Sequence, residues 1–530
     1  MIELVLAFLL ALALSFLMCP LASRLSIMIG MVDHPDARRK LHKKPIPLIG
    51  GFVLVPTIAL SVGIIYAIKP ELFSQVKSED WWQILGLLIA TVILLGVGIL
   101  DDRFGLRGRQ KVLGQLVAIL VLYIFEYRFE EISIFQTTLK LKVTALWNFS
   151  IIFIFAWMMG AINSINLLDG ADGFAGTIGI ILSLAFAVMS AFRGDTNLVD
   201  TIIAAGMAGA LLGFLRLNFP PAKVFLGDSG SMVIGFILGA LAIRLTYKEA
   251  TVYAFLGPIA VLAIPFIDTI AAIIRRRLTG RSIYATDRGH LHHELQRKGI
   301  SNRRMLFYVA ILCVVTATGG VLSLVTKQSE YAVISIVAVI AFLLISRLFG
   351  FAEFRLLSGK IFSISNSFLV LNRGKKVQTN EVRIQGEANW QGIWNELRKF
   401  AALNQIARMT LDLNIPWLHE SFHATLKNDL SDRAEKTWWT EIPIVVDKRI
   451  IGRLDILASN ESEIPVYDVI KGLIDKIDSL APEFRETFAS VAESEKQRLA
   501  MESANAKKNS TDKDGDGNEE LIADDQLASR

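Results

Sequence analysis

"WQILGLLIATVILLGVGIL" (residues 82–100) is nineteen residues without a charge, and it stops on the carboxylate pair Asp101-Asp102. At a helical rise of about 1.5 Å per residue, a run of this length crosses a hydrocarbon core of about 30 Å. Similar runs recur along the chain. Eleven membrane spans are expected, at roughly 1–19, 48–68, 82–100, 112–125, 145–162, 174–192, 199–215, 231–247, 252–274, 305–326 and 331–349. The whole chain, 530 residues long with a hydrophobic content of 53%, is too apolar for an ordinary soluble protein. Its mean hydropathy of +0.47 agrees.

The first run is not expected to be cleaved as a signal peptide, because Met-Ile-Glu lacks a basic start and no small-residue cleavage site follows. The two cysteines, Cys19 and Cys313, both fall inside spans, which excludes a disulfide framework and a cysteine metal site. Loops after odd-numbered spans hold 21 Lys and Arg, against 8 in loops after even-numbered ones. Basic loops stay in the cytoplasm, so the N-terminus is expected outside and the C-terminus inside. Trp81, Trp82 and Trp147 stand where spans enter from the outer face, as interfacial aromatics do.

Past residue 350 the pattern changes. Residues 351–500 alternate β-like runs ("RMTLDL", "TEIPIVVD", "RIIGRLDILA") with helix-like ones ("WQGIWNELRKFAALNQ", "VYDVIKGLIDKIDSL"), with Trp417, Trp438 and Trp439 among the large apolar residues. The expected architecture is a polytopic all-α membrane protein of about eleven transmembrane helices (1–350), then a cytoplasmic α+β domain (351–500). A disordered polar tail (501–530) follows. That tail carries Asp512-x-Asp514-x-Asp516-Gly517, the front half of a calcium loop. Its twelfth position is Ala523 rather than the required Glu, and the segment reads as a solvated acidic tail.

Five polar clusters, all predicted for the cytoplasmic side, interrupt the apolar frame. They are "DHPDARRKLHKKPIPLIGG" (33–51), "DDRFGLRGRQK" (101–111), "NSINLLDGADG" (163–173), "RLNFPPAKVFLGDSGS" (216–231) and "RRRLTGRSIYATDRGHLHH" (275–293). Charge near hydrocarbon is expensive, so polar groups gathered on one side invite a functional reading. Asp101 and Asp102 repel each other, which suits one of them to act as a base near neutrality and equally suits an interfacial helix cap. Asn163, Asn166, Asp169 and Asp172 recur by threes, and their hard oxygens suit Mg²⁺ or sugar and base hydroxyls.

"GDSGS" echoes a serine-protease loop, but Ser229 directly precedes a span and the last position is Ser231. Asp228 reads instead as a metal carboxylate or a helix N-cap. Lys111, Arg288 and Arg275-Arg276-Arg277 bring cations to the same layer, the triple arginine as an orientation anchor, with Asp268 within reach of Arg275. The histidines of "HLHHEL" (290–295) lack the pattern and the cysteines of a zinc site, and read as donors to an anion.

These five motifs, in this order, resemble the polyprenyl-phosphate N-acetylhexosamine-1-phosphate transferase superfamily (glycosyltransferase family 4) over about residues 30–304. The short HLHH form resembles its undecaprenyl-phosphate GlcNAc-1-phosphate branch. The resemblance implies transfer of a sugar-1-phosphate from a UDP-amino sugar to a polyprenyl phosphate lipid, releasing UMP, with Mg²⁺ (Mn²⁺ as a substitute). Carried over by position, it implies Asp228 and Asn166 as metal ligands and Asp101 and Asp102 as the base or electrostatic pair for the acceptor phosphate. Lys111 would hold the donor pyrophosphate. Asp169 and Asp172 would line the nucleotide-sugar site, and His290, His292 and His293 would meet the donor phosphate or sugar. Arg39, Lys40 and His42 would meet the lipid phosphate. The implied setting is the inner membrane, with no nucleic-acid partner and room for a homo-oligomer or a protein partner of the C-terminal domain. Two rivals are a phospho-N-acetylmuramoyl-pentapeptide transferase and a membrane transporter. A transporter would set its polar residues at the bilayer midplane in repeated halves, and no repeat is evident.

Overall fold

The computed structural model describes residues 2–34, 45–74, 76–127, 131–134, 137–140, 148–194, 198–247, 252–279, 289–355, 357–358, 378–385, 389–415, 418, 420–428, 437–447, 449–459 and 464–527. Arg39, Lys40, His42, Trp147, Arg288 and Trp417 lie outside them. The chain forms two compact units, residues 1–273 with 290–351, and residues 274–289 with 352–530.

The first unit is a bundle of apolar helices: α1 (Ile2–Met28), α2 (Gly50–Ile68), α3 (Ser78–Phe104), α4 (Gly108–Ile124), α5 (Asn148–Leu168), α6 (Phe174–Phe192), α7 (Leu198–Asn218) and α8 (Gly227–Tyr247). After them come α9 (Val252–Val261), α10 (Ala263–Leu278, whose last turn passes into the second unit), α11 (Leu291–Arg297), α12 (Asn302–Thr326) and α13 (Glu330–Ile345). Each of the eleven expected spans meets one of these helices or, at 252–274, a pair. Among the described residues, eight helices are long and apolar enough to cross a membrane, and a ninth span is made if α9 and α10 count as one. These two meet at 76°. The bend has a local cause: Pro265 has no N–H for the Val261 carbonyl one turn back, and its ring crowds that carbonyl. The remaining two, α4 and α13, are short, with 17 and 16 residues.

Helices in lipid gain little from hiding apolar surface and associate through close backbone approach. α8 illustrates this. The apolar window of α8 is wholly buried inside the protein. Gly98 of α3 lies so near it that a Cβ there would stand 2.4 Å from Ser229 Cα, and a Cβ on Gly235 would stand 2.5 Å from the Ala161 carbonyl oxygen of α5. Where α8 ends, Arg244 is buried and bonds Asp200 of α7 (Nε–Oδ1 2.5 Å), Asp80 of α3 (3.2 Å) and the Gln83 side chain.

The second unit holds a five-stranded antiparallel sheet in the order 378–385, 420–427, 408–415, 449–459, 437–446. Strand alternation sends Met409, Leu411, Leu413, Phe422, Leu426, Leu454 and Ile456 into one core with Trp390, which caps helix α14 (Gln391–Leu403), with Trp394 and Leu397 of that helix, and with Val469 and Leu473 of α15 (Val466–Leu527). This is the α+β fold expected from the sequence. The expected tail from 501 is instead drawn as a continuation of α15, whose Ala, Glu and Lys content favours helix and which meets no proline after Pro482.

Candidate active site

Odd-numbered helices α3, α5 and α7 end, and even-numbered α4, α6 and α8 begin, at the same end of the bundle, and the polar motifs meet there. Lys111, in the first turn of α4, is the hub. Its Nζ lies 2.9 Å from Asp101 Oδ2, 2.5 Å from Asp228 Oδ1 and 3.4 Å from Asn166 Oδ1. Asn166 Nδ2 donates to Asp228 Oδ1 and, at 2.9 Å, to Ser231 Oγ. Three residues, from α3, α5 and α8, thus face one cationic point on α4. Asp101 also accepts the Leu106 N–H at 2.8 Å, closing the turn between α3 and α4.

The neighbouring carboxylate does different work. Asp102 accepts the backbone N–H of Asp228 (2.7 Å) and of Ser229 (3.1 Å), capping α8 from another helix. Gly227 permits this approach: it has φ +73°, and a Cβ would lie 2.7 Å from the Asp102 carboxylate. The cap reading raised for Asp228 belongs to Asp102, and Asp228 is left to face Lys111.

The other motifs close around this hub. Asp172 Oδ2 accepts the Ala222 N–H at 3.0 Å, and Asn218 Oδ1 accepts the Gly173 N–H at 3.0 Å, so the turn between α5 and α6 is tied to the "NFPPAK" loop. Residues 47–50 run along 225–226 through Phe225 N–H to Pro47 O (2.9 Å), Ile49 N–H to Phe225 O (3.0 Å) and Gly50 N–H to Leu226 O (3.0 Å). The end of the first motif is thereby fixed beside the fourth. Burial, then the charges of Asp228, Asp102 and Asp172, push the Asp169 carboxyl well above the usual carboxylate range.

The three histidines are not alike. His290 Nδ1 lies 2.8 Å from Asp268 Oδ2, whose other oxygen accepts the Leu291 N–H at 2.7 Å. Asp268 therefore seats the histidine segment, where the sequence suggested a pairing with Arg275; Arg275 pairs with Glu353. His293 is half-buried. His292 is 1% exposed, packs on the Phe174 ring, and has no hydrogen-bond partner at either nitrogen among the described residues. Gly170 makes room for it, since a Cβ there would lie 2.4 Å from His292 Nε2. Burial, then the charge of His293, pushes His292 down to about 3. At neutral pH it is an uncharged donor and acceptor.

That depression has a sign for stability. Between about 3 and 6.5 the unfolded chain binds a proton at this site that the folded one refuses, so stability present above pH 6.5 is lost as pH falls through that window. The unfolding midpoint in detergent is expected to drop over the range, and to drop less in His292→Phe. Equal drops in the two proteins would assign the acid sensitivity to other groups.

Sequence reading passed over Gln115, one helical turn beyond Lys111. It is buried and pairs with Asn163 (Asn163 Nδ2 to Oε1 3.1 Å), joining α4 to α5 beneath the hub. The i, i+4 spacing from Lys111 was the available signal. Asn163, read with the ligand series, thus serves that joint. Among the described residues no group of three or more His, Cys, Asp or Glu side chains is placed to hold a metal. Asp101 and Asp228 with the Asn166 amide oxygen make a smaller set of hard donors, converging on the Lys111 ammonium. Of these, the Asp228 carboxylate and the Asn166 amide oxygen, with the remaining positions left to water, are donors that fit Mg²⁺.

Residues 84–246 match the model of glycosyl transferase family 4. A probable undecaprenyl-phosphate N-acetylglucosaminyl 1-phosphate transferase of Bacillus subtilis is 31% identical over 313 residues, 59% of this chain and 82% of the relative. The decaprenyl-phosphate N-acetylglucosaminephosphotransferase of Mycobacterium tuberculosis is 31% identical over 346 residues, 60% and 81% of the two chains. The undecaprenyl-phosphate alpha-N-acetylglucosaminyl 1-phosphate transferase of Escherichia coli is 27% identical, over 62% and 85%. The chain belongs to this glycosyl transferase family, as a multi-pass membrane enzyme of the phosphosugar-transferase type.

Proposed function

We propose that the protein transfers N-acetylhexosamine-1-phosphate, specifically GlcNAc-1-phosphate, from its UDP-sugar to undecaprenyl or a similar polyprenyl phosphate. The products would be a lipid-linked diphospho-sugar and UMP, opening the synthesis of a cell-surface polysaccharide. The observation that carries this reading is the meeting of Lys111, Asp101, Asp228 and Asn166 from four helices at one end of the bundle. Donor pyrophosphate and acceptor phosphate are both anionic, and the site must offset their repulsion while holding them in line. Asp228 and Asn166 would hold Mg²⁺, which would supply Lewis-acid stabilisation of phosphoryl charge.

The protein's own groups would do the rest. Lys111 carries positive charge to the donor pyrophosphate and keeps Asp101 and Asp228 within one cluster. Asp101 faces the acceptor phosphate, while Asp102 holds the start of α8 so that Asp228 keeps its aim. Asp169 and Asp172 line the nucleotide-sugar side, and the neutral His292 with His290 and His293 offers hydrogen bonds to the sugar or its phosphate. Arg39, Lys40 and His42 are assigned to the lipid phosphate by family position alone. The pentapeptide-transferase and transporter readings gain no comparable support: the relatives are GlcNAc-phosphate transferases, and the polar groups gather at one end of the helices.

The test is purified protein with polyprenyl phosphate, Mg²⁺ and a panel of UDP-sugars, reading UMP and the lipid product. UMP release with UDP-GlcNAc alone or foremost is expected, and its absence with every UDP-amino sugar overturns the reading. Asp228→Asn is expected to abolish turnover at ordinary Mg²⁺, or to raise the Mg²⁺ requirement at least tenfold, about the effect of losing one charged ligand. Unchanged Mg²⁺ dependence would take Asp228 out of the metal's shell.

The site must face the cytoplasm to meet UDP-sugars, and the N-terminus then lies outside the inner membrane. Both native cysteines are buried, which gives a quiet background for labelling. Arg109→Cys is expected to react with an impermeant thiol reagent only from the cytoplasmic side, and Ser74→Cys only from outside. Reversed labelling overturns the orientation.

A further inference from the structure

The second unit contains a cavity of about 350 Å³ on the sheet face opposite its apolar core. Strand alternation puts Arg408, Thr410 and Asp412 on this face, beside His423 and Thr425 of one neighbouring strand and Arg453 and Asp455 of the other. Polar sheet faces ordinarily look into water, where their groups need no partner. Here Thr410, Asp412 and His423 are 9%, 4% and 6% exposed, because Arg277, Leu278 and Thr279, at and just beyond the end of α10, form the opposite wall. His423 Nδ1 is buried without a hydrogen bond among the described residues, 3.5 Å from Asp412 Oδ1. A buried ring nitrogen left in this state asks for a polar occupant.

The charge inventory sets the sign of that occupant. Arg453 lies 3.6 Å from Asp455 and 3.8 Å from Glu441, so these carboxylates are compensated within the sheet. Arg277 and Arg408 form no ion pair among the described residues. Planar guanidinium groups match phosphate oxygens two at a time. At the cavity's rim stands Trp439, 63% exposed, a large flat surface that the core does not use.

We propose that this cavity binds a small phosphate-bearing ligand of mononucleotide size, its phosphoryl group held by Arg408 and Arg277 and its ring resting on Trp439. The site is separate from the Lys111 cluster, and the argument for it does not rest on the transfer reaction.

The test uses full-length protein in detergent and equilibrium dialysis with labelled AMP, ribose 5-phosphate, adenosine and inorganic phosphate. AMP is expected to bind saturably and ribose 5-phosphate more weakly, with adenosine and phosphate weakest. The double variant Arg277→Gln/Arg408→Gln is expected to lose at least tenfold in AMP affinity, as for removal of charged hydrogen bonds. Trp439→Ala should erase the preference for AMP over ribose 5-phosphate, and Trp439→Phe should keep it. Nucleotide taken up at the Lys111 cluster is common to all these proteins and cancels in the comparison. Both arginines are exposed, so the double variant should elute and melt as the parent does. Equal AMP binding by parent and double variant, or no saturable binding, overturns the site; inorganic phosphate binding as tightly as AMP overturns the role of the ring.

Discussion

Lys111→Met is expected to lower turnover by a factor on the order of 10³, the size seen when one preorganised charge-stabilising donor is removed from a site of this kind. The ammonium separates Asp101 from Asp228, at 2.9 and 2.5 Å, and binds Asn166 as well. Without it two carboxylates confront each other, and the phosphates of both substrates meet net negative charge. Lys111→Arg is expected to recover little, because a planar fork cannot take the place of a compact ammonium shared among three side chains. The measurement is steady-state UMP release from variants that elute as the parent does in detergent. Turnover within about tenfold of the parent for Lys111→Met would show that the hub holds the bundle together without touching the chemistry.

Arg244→Leu is expected to cost about 3–5 kcal/mol, the range for removing one member of a buried ion network and leaving its partners charged. Asp200 on α7 and Asp80 on α3 would both lose the Arg244 cation. The readout is the temperature at which half the protein leaves the monodisperse peak after heating in detergent, expected to fall by about 5–10 °C. A triple change that also makes Asp80→Asn and Asp200→Asn should restore most of the loss. If Arg244→Leu alone melts with the parent, the network contributes nothing measurable.

The helices were legible because lipid imposes a length and an apolar composition that a sequence cannot hide. Positions were less so. The fold of 351–500 followed from period-two alternation, which also sets Thr410, Asp412 and His423 on the face opposite the core, but that the chain at 277–279 makes this face a cavity wall is not in the alternation. Within the site, Lys111, Asp228 and Asn166 announced themselves as polar residues at span ends. Asp102 could not be told from Asp101 by neighbourhood, since which carboxylate reaches the N–H groups of another helix depends on a rotation of about 100° per residue and on the packing angle between α3 and α8. Gln115 and Arg244 sit inside helices, where a single polar letter in an apolar run gives no hint of a partner 48 or 44 residues away.

α8 has no side turned to lipid, and its window is the least apolar of the eight. Its main packing neighbours α2, α3, α5 and α6 precede it in the chain, as does α7, while α9 follows it. During synthesis the preceding helices would enter the membrane first and leave a protein-lined slot, with Asp102 waiting at one end and Asp80 and Asp200 at the other. A helix that hydrocarbon alone would receive poorly is thus admitted by its predecessors, and the Lys111 cluster is complete only when it brings Asp228. Insertion of α8 and assembly of that cluster then become the same event.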